Sequence, residues 1–98
     1  MKSYLPKEIK STMLLLDVRT KEEWDFVHIK NSLHISIDVL EKNLDKIDKS
    51  KEIVVFCHHG SRAFMAAQFL TSKGFNVGYM EGGIEEWALK IDKSLKRY

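Results

Sequence analysis

Apolar residues along the chain fall into short runs that are separated by stretches of helical period. Four of these runs predict β-strands, at residues 13–16, 32–37, 53–56 and 76–80. The run at 53–56 is the strongest, because four β-prone apolar residues in a row are typical of a strand covered on both faces. The run at 32–37 has the alternation of a strand with one buried face.

Four stretches of helical period separate or follow these strands. Their predicted starts are a capping box at residues 20–23, a cap at Asp38, a helix start at Ser61 and a turn at Gly82-Gly83. In the second stretch Leu40, Leu44 and Ile47 recur at i, i+4 and i+7. The third is expected to span residues 61–73, with Gly74 ending it in the left-handed conformation.

This alternation of strands and helices predicts an α/β fold. We expect a mostly parallel central sheet of about five strands with helices on both faces. The length of 98 residues and the 44% hydrophobic content fit one packed core, so residues 1–98 are predicted to form a single domain.

Charge and hydropathy exclude several classes of partner. The 16 Lys and Arg and 14 Asp and Glu give a net charge of +2 and are mixed along the chain, so nucleic-acid binding is not expected. No apolar run approaches the roughly 20 residues that span a bilayer, and Pro6 and nearby charges do not fit a signal peptide. We therefore expect a cytoplasmic protein without membrane contact, with residues 93–98 as a solvated tail.

Cys57 is the only cysteine, which excludes an internal disulfide and a cysteine-rich zinc site. By itself it is most simply a small buried residue. Its position changes that interpretation, because it directly follows the strand at 53–56 and precedes the helix at 61–73. Ligands of open α/β sheets bind beyond the carboxyl ends of the strands. Cys57 is therefore a candidate nucleophile.

The loop after Cys57 has the composition of an anion site, with the sequence His58, His59, Gly60, Ser61 and Arg62. Backbone N–H groups of a compact loop and the positive end of the following helix bind anions and favour thiolate over thiol. Arg62 and the two imidazoles would add positive charge, and glycine permits the positive φ that a tight loop demands.

A metal site is not expected in this loop. His58 and His59 are adjacent and do not converge naturally on one ion, and no Cys-x-x-Cys or His-x-x-x-His pattern is present. His28 and His34 are expected to form local hydrogen bonds rather than to act as ligands.

Three segments in this order resemble a single-domain rhodanese, a thiosulfate sulfurtransferase-like module, over nearly the whole chain. The segments are Leu16-Asp17-Val18-Arg19 with Glu23-Trp24 and His28-Ile29, the loop Cys57 to Arg62, and Glu81-Gly82-Gly83 through Trp87. The chain departs from the family pattern at Val27 and Asn31, where glycine is common, and at Ser36, where proline is common.

The resemblance implies sulfur transfer in two steps. Cys57 would take the outer sulfur of thiosulfate or another small anionic donor, release sulfite and become a persulfide. Cyanide or a thiol, of a small redox protein or of low molecular weight, would then accept the sulfur. Arg62 would hold the donor, while His58, His59, Gly60 and Ser61 would form the rest of the substrate-binding loop. Asp17 and Arg19 would support the loop or form a buried ion pair. No cofactor or metal is implied.

Other functions stay open at this point. Phosphatases and arsenate reductases also bind oxyanions beside a thiolate, but with Cys-x5-Arg loops, whereas Cys57 and Arg62 form Cys-x4-Arg. A non-catalytic rhodanese-like binding or regulatory module is a second alternative, although such modules often lack the cysteine. A sulfur relay fed by a desulfurase would use the same chemistry as thiosulfate sulfurtransfer.

Overall fold

The computed structural model describes residues 1–98, which fold around one five-stranded sheet. All four strand pairings are parallel, and the order across the sheet is β1-β5-β4-β2-β3. The strands are β1 (Lys2–Tyr4), β2 (Leu14–Asp17), β3 (Leu33–His34), β4 (Ile53–Phe56) and β5 (Val77–Met80). The α-helices are α1 (Lys21–Phe26), α2 (Ser61–Ser72) and α3 (Gly83–Lys90), and 3-10 helices span Pro6–Glu8 and Ile37–Lys46. The predicted α/β class with a parallel sheet is confirmed.

Strand β4 lies at the centre of the sheet and is buried along its whole length. Its side chains alternate between two apolar clusters, as the period of a strand requires. Ile53 and Val55 pack with the buried face of α2 and with Leu40 of the second 3-10 helix. Val54 and Phe56 pack on the opposite face, in the same cluster as Ile84 of α3. Both faces of the sheet are therefore covered by helices.

Two predicted helices form nearly as expected. The capping box before α1 is present, with the Thr20 hydroxyl accepting from the N–H of Glu23 and the Glu23 carboxylate accepting from the N–H of Thr20. Helix α2 ends one residue before the predicted limit, and Gly74 follows it with φ +89°. Helix α2 turns four small or apolar residues toward the core: Ala63, Ala66, Ala67 and Leu70.

The segment between β2 and β4 differs from the prediction. The strand expected over residues 32–37 contains only Leu33–His34, because the chain turns into a 3-10 helix at Ile37. Ser36, and not Asp38, occupies the cap position of this helix, and no side chain bonds to the helix start. The helix is interrupted at Asn43 (φ −124°, ψ 22°).

Strand β1 is not among the four strands predicted from the sequence. It pairs with β5 at an edge of the sheet, and Gly78 of β5 makes this pairing close. A Cβ at Gly78 would lie 2.7 Å from the Lys2 carbonyl oxygen, so the two strands fit only around a glycine. Three residues with one partly buried side chain carry too little pattern to predict a strand.

The tail of residues 93–98 is exposed as expected except at Leu95, but two of its residues contact the rest of the protein. Leu95 packs against the apolar cluster between the sheet and α3, and the Tyr98 hydroxyl bonds to Arg19 and Glu23. No helix combines the length and the apolar character needed to cross a bilayer.

Candidate active site

The strand register brings the sequence-predicted site residues to one edge of the sheet. Asp17 at the end of β2 pairs with Phe56 at the end of β4. Because the strands are parallel, Arg19 and Cys57 follow them at the same carboxyl edge, where α/β proteins bind ligands. The N-termini of α1, α2 and α3 follow β2, β4 and β5 at this edge.

Cys57 lies at the base of the loop between β4 and α2, and only 1% of it is exposed. Its Sγ accepts hydrogen bonds from the N–H of Gly60 at 3.1 Å and from the N–H of Ala63 at 3.4 Å. Gly60 adopts φ +145°, a conformation that other residues rarely adopt. The positive φ expected of the glycine in this loop is confirmed. Sequence reasoning missed Ala63, whose N–H belongs to the first turn of α2.

Further N–H groups of the loop are available to an anion. Those of His58 and His59 have no acceptor within the protein. Those of Ser61 and Arg62 lie in the first turn of α2, where a helix offers no carbonyl partner. A Cβ placed on Gly60 would have no atom within 4 Å, so the loop is open on that side. The loop can therefore surround a small anion with N–H donors.

Helix α3 holds the other side of this loop. Its first N–H groups bond to the loop carbonyls, Ile84 to Cys57 at 2.8 Å and Glu85 to His58 at 3.2 Å. A Cβ on Gly83 would lie 2.4 Å from both carbonyl oxygens. Gly83 therefore allows α3 to approach the backbone of Cys57 closely. The segment Glu81 to Trp87 was noted in the sequence, but its pattern does not reveal this role.

Arg62 pairs with Glu23, a carboxylate that the sequence pattern places in a helix cap and in the first rhodanese-like segment but does not connect with Arg62. Its two terminal nitrogens donate to Glu23, Nη1 to Oε1 at 2.6 Å and Nη2 to Oε2 at 3.1 Å. Hydrogen bonds from Arg62 are the main cause that lowers the pKa of Glu23, with further contributions from Tyr98 and the Thr20 backbone. The Arg62 side chain remains 33% exposed. A charged pair therefore stands beside the cysteine loop.

Asp17 and Arg19 form a buried ion pair at the end of β2, and neither side chain is exposed. Arg19 Nη2 donates to Asp17 Oδ2 at 2.7 Å and to the Val27 carbonyl at 2.6 Å. Its Nη1 donates to the Tyr98 hydroxyl at 2.8 Å. The pair makes no hydrogen bond with residues 57–62, so any support it gives the loop passes through other side chains.

The two loop histidines stack on each other instead of converging on a ligand. Their ring centroids are 3.9 Å apart, and Tyr98 stacks on the other side of His58 at 3.8 Å. Burial, followed by the nearby His59, lowers the pKa of His58, which is therefore neutral at pH 7. The expected positive charge of the loop comes from Arg62 and not from His58.

The remaining histidines form the local bonds that the sequence predicted. His28 Nδ1 lies 2.9 Å from the Trp24 carbonyl, and His34 Nε2 lies 2.8 Å from the Arg19 carbonyl. The indole of Trp24 stacks between both rings, with centroid distances of 3.9 and 4.9 Å. These contacts tie α1 to the segment after β2 and to β3.

The departures from the family pattern have local explanations. Asn31 adopts φ +67°, a conformation in which asparagine replaces glycine at low cost. Ser36 has φ −57°, which suits proline equally, and its hydroxyl donates to the Arg19 carbonyl at 3.0 Å. Val27 is extended, so no glycine is required there.

Comparison with known proteins identifies relatives over most of the chain. The family model described as "Rhodanese-like domain" matches residues 2–90. Thiosulfate sulfurtransferase GlpE of Coxiella burnetii is 37% identical over 79 residues, which are 80% of this chain and 74% of that protein.

Two solved structures show the same arrangement of elements. A rhodanese-related protein from Thermoplasma volcanium superposes with a TM-score of 0.88 at 31% identity, covering 93% of this chain and 94% of that one. An NAD-dependent persulfide reductase from A. fulgidus superposes with a TM-score of 0.76 at 39% identity, covering 88% of this chain and 16% of that one.

Proposed function

The chain belongs to the rhodanese family, and we propose that it is a sulfurtransferase in which Cys57 carries the transferred sulfur as a persulfide. The observation that carries this proposal is the position of Sγ, which accepts N–H bonds from Gly60 and Ala63 at the start of α2. The similarity to a thiosulfate sulfurtransferase supports thiosulfate as a donor.

The first step moves a sulfur atom onto Cys57. The thiolate attacks the outer sulfur of thiosulfate, and a new S–S bond forms at Sγ. The bond between the two thiosulfate sulfurs breaks, and its electron pair leaves with sulfite. Thiolate and thiosulfate together carry three negative charges, as do the persulfide anion and sulfite. A covalent intermediate divides one transfer into two steps.

The loop provides the electrostatic stabilisation that this intermediate needs. The persulfide places its charge on a sulfur one bond beyond Sγ, near the N–H groups of the loop and of the first turn of α2. Preorganised N–H donors stabilise such a charge without reorganisation. They are better suited to this than neutral His58, whose imidazole adds no charge at pH 7.

Arg62 is proposed to bind the donor while it stays paired with Glu23. A guanidinium has five N–H donors, and the carboxylate of Glu23 takes one from each terminal nitrogen. The other donors are free to bind a sulfonate oxygen of thiosulfate. Glu23 would then fix the direction of the guanidinium beside the loop.

The second step requires an acceptor from outside the chain. No second cysteine is present to attack the persulfide, so a thiolate or cyanide must take the outer sulfur and leave Cys57 as thiolate. The similarity to part of a persulfide reductase is consistent with a thiol acceptor in a redox protein or a low-molecular-weight thiol.

The test is the intact mass of the protein after incubation with thiosulfate and removal of excess donor. We expect the wild type to gain one sulfur atom, which cyanide then removes as thiocyanate. Cys57→Ser should gain none. Absence of an adduct with thiosulfate, with mercaptopyruvate and with a cysteine desulfurase would identify a non-catalytic binding module. Sustained, Cys57-dependent hydrolysis of an aryl phosphate would favour a phosphatase instead.

A further inference from the structure

Tyr98 contacts the active site from a segment in which no motif predicted a function. Its ring lies on His58, with centroids 3.8 Å apart and planes inclined by 15°. Its hydroxyl donates to Glu23 Oε2 at 2.7 Å and accepts from Arg19 Nη1 at 2.8 Å. One side chain thus touches the loop residue next to Cys57 and both charged pairs of the site.

The segment that carries Tyr98 is fixed at several points. Leu95 packs in the cluster that contains Ile84 and Phe56. Arg97 pairs with Glu85 of α3 at 2.5 Å. Phe26 of α1 meets the Tyr98 ring edge-on, at a centroid distance of 5.9 Å. Tyr98 remains 44% exposed, but these contacts on α1 and α3 hold its ring against His58.

The protonation state of Tyr98 suits its two hydrogen bonds. Burial, together with the bond to Glu23, raises the pKa of Tyr98 to about 12 against the opposing effect of Arg19. The phenol therefore keeps its proton at neutral pH and donates it to the carboxylate. Its oxygen accepts from Arg19, which cannot be deprotonated. The hydroxyl connects the buried pair Asp17–Arg19 with the pair Glu23–Arg62.

We propose that Tyr98 is a positioning residue for sulfur transfer: its hydroxyl fixes Glu23 and through it Arg62, and its ring holds His58 and the Cys57 loop closed. This inference rests on the proposed function. Without the hydroxyl, Glu23 Oε2 keeps only its bond to Arg62 Nη2. Without the ring, one face of His58 loses its cover.

The two parts of the side chain have separable consequences. Loss of the hydroxyl disturbs the direction of Arg62, which is proposed to bind the donor, so it should raise KM for thiosulfate and leave kcat nearly unchanged. Loss of the ring should also let the loop open more often. Because Cys57 is only 1% exposed, such opening increases its reaction with an added alkylating reagent.

The experiment compares Tyr98→Phe and Tyr98→Ala with Tyr79→Phe. Tyr79 is a matched control, because its ring packs edge-on against Phe64 and against the apolar cluster of α2, away from His58 and Glu23. For Tyr98→Phe we expect KM for thiosulfate to rise about three- to tenfold, with kcat within about twofold of wild type. This is the effect expected when Glu23 loses one hydrogen bond and orients Arg62 less well. Tyr98→Ala should show the same rise in KM and alkylation of Cys57 by iodoacetamide about threefold faster or more.

The alkylation measurement needs no sulfur donor, so it separates this inference from the proposed function. If the wild type takes no sulfur from any donor while Tyr98→Ala is alkylated faster, the proposed function fails and the positioning of the loop stands. If the wild type is active and Tyr98→Phe and Tyr98→Ala match Tyr79→Phe in KM and alkylation, Tyr98 has no positioning role. A Tyr98→Phe variant with a lower kcat, a lower melting temperature and an unchanged KM would also overturn the proposal. That result would indicate a contact that only stabilises the fold.

Discussion

Glu23 connects three parts of the candidate site through one carboxylate. It closes the capping box of α1, accepts both terminal nitrogens of Arg62 and accepts the Tyr98 hydroxyl. The arrangement fixes the direction of a guanidinium that is partly exposed. A planar guanidinium held by a bidentate carboxylate is better oriented for a second anion than a free one.

Arg62→Ala should therefore impair donor use more than folding. We expect kcat/KM for thiosulfate to fall at least about tenfold, the effect of losing one charge-assisted hydrogen bond to the substrate. The free energy of unfolding should fall by about 1 kcal/mol, since the pair with Glu23 is partly exposed. Steady-state kinetics and urea unfolding measure the two effects.

Lys2→Ala is the control for this variant. It removes another basic side chain that is paired with a glutamate, Glu52, which precedes β4 and so lies at the opposite edge of the sheet from the cysteine. Kinetics of Arg62→Ala that equal those of Lys2→Ala would remove Arg62 from donor binding.

At the level of elements, the start of α3 acts as a support for the catalytic loop. Helix N-termini offer free N–H groups, and here the first groups of α3 bond to the carbonyls of Cys57 and His58. The close approach depends on Gly83, where a Cβ would overlap both carbonyl oxygens.

Gly83→Ala should displace the loop and abolish most sulfur transfer. We expect kcat/KM to fall by about a hundredfold or more, as for a misplacement of about 1 Å at a reacting group. Gly74→Ala is the matched control, because Gly74 also has positive φ but a Cβ there meets only the Lys49 side chain at 3.5 Å. Gly74→Ala should lose about 1 kcal/mol to backbone strain, and Gly83→Ala should lose more because its Cβ also overlaps the two carbonyl oxygens; urea unfolding measures both losses. Equal activities of the two would contradict a supporting role for α3.

The sequence predicts the elements whose pattern is long and unambiguous. Strand β4 and helix α2 have nearly the predicted bounds, because one is a continuous apolar run and the other carries its buried residues on one stripe. The 3-10 geometry at Ile37–Lys46 is not predictable from the same rule, since the spacing of Leu40 and Leu44 also fits an α-helix.

The candidate site is predictable only where its residues are close in sequence. Cys57, Gly60 and Arg62 share one loop, and the strand before them gives their place in the fold. Glu23 is 39 residues from Arg62 and Tyr98 is 75 residues from Glu23. These contacts depend on the register of β2 with β4 and on the path of the chain after α3, which no local pattern contains.

At the scale of the whole molecule, two groups of the site, His58 and Glu23, make the folded protein more stable at neutral pH than at acidic pH. The pKa of His58 is lowered by burial and by His59, and the pKa of Glu23 is lowered chiefly by Arg62. In each case the unfolded chain binds protons more readily than the native protein. The free energy of unfolding therefore decreases as pH falls. His58 contributes to this decrease below its ordinary pKa of about 6.5, and Glu23 contributes below about 4.3.

We therefore expect thermal stability to be highest near and above pH 7 and to fall on acidification. The fall should be steeper below about pH 4.5, where Glu23 takes up a proton in the unfolded chain but stays ionised in the native protein. In Glu23→Gln the lower part of this dependence should flatten, because its amide cannot titrate. Glu22→Gln is the control, since Glu22 is an exposed neighbour on α1 without an ion pair. Melting temperatures of the three proteins between pH 3 and pH 8 measure the effect. A Glu23→Gln profile parallel to that of Glu22→Gln would show that the Glu23–Arg62 pair does not contribute to native stability.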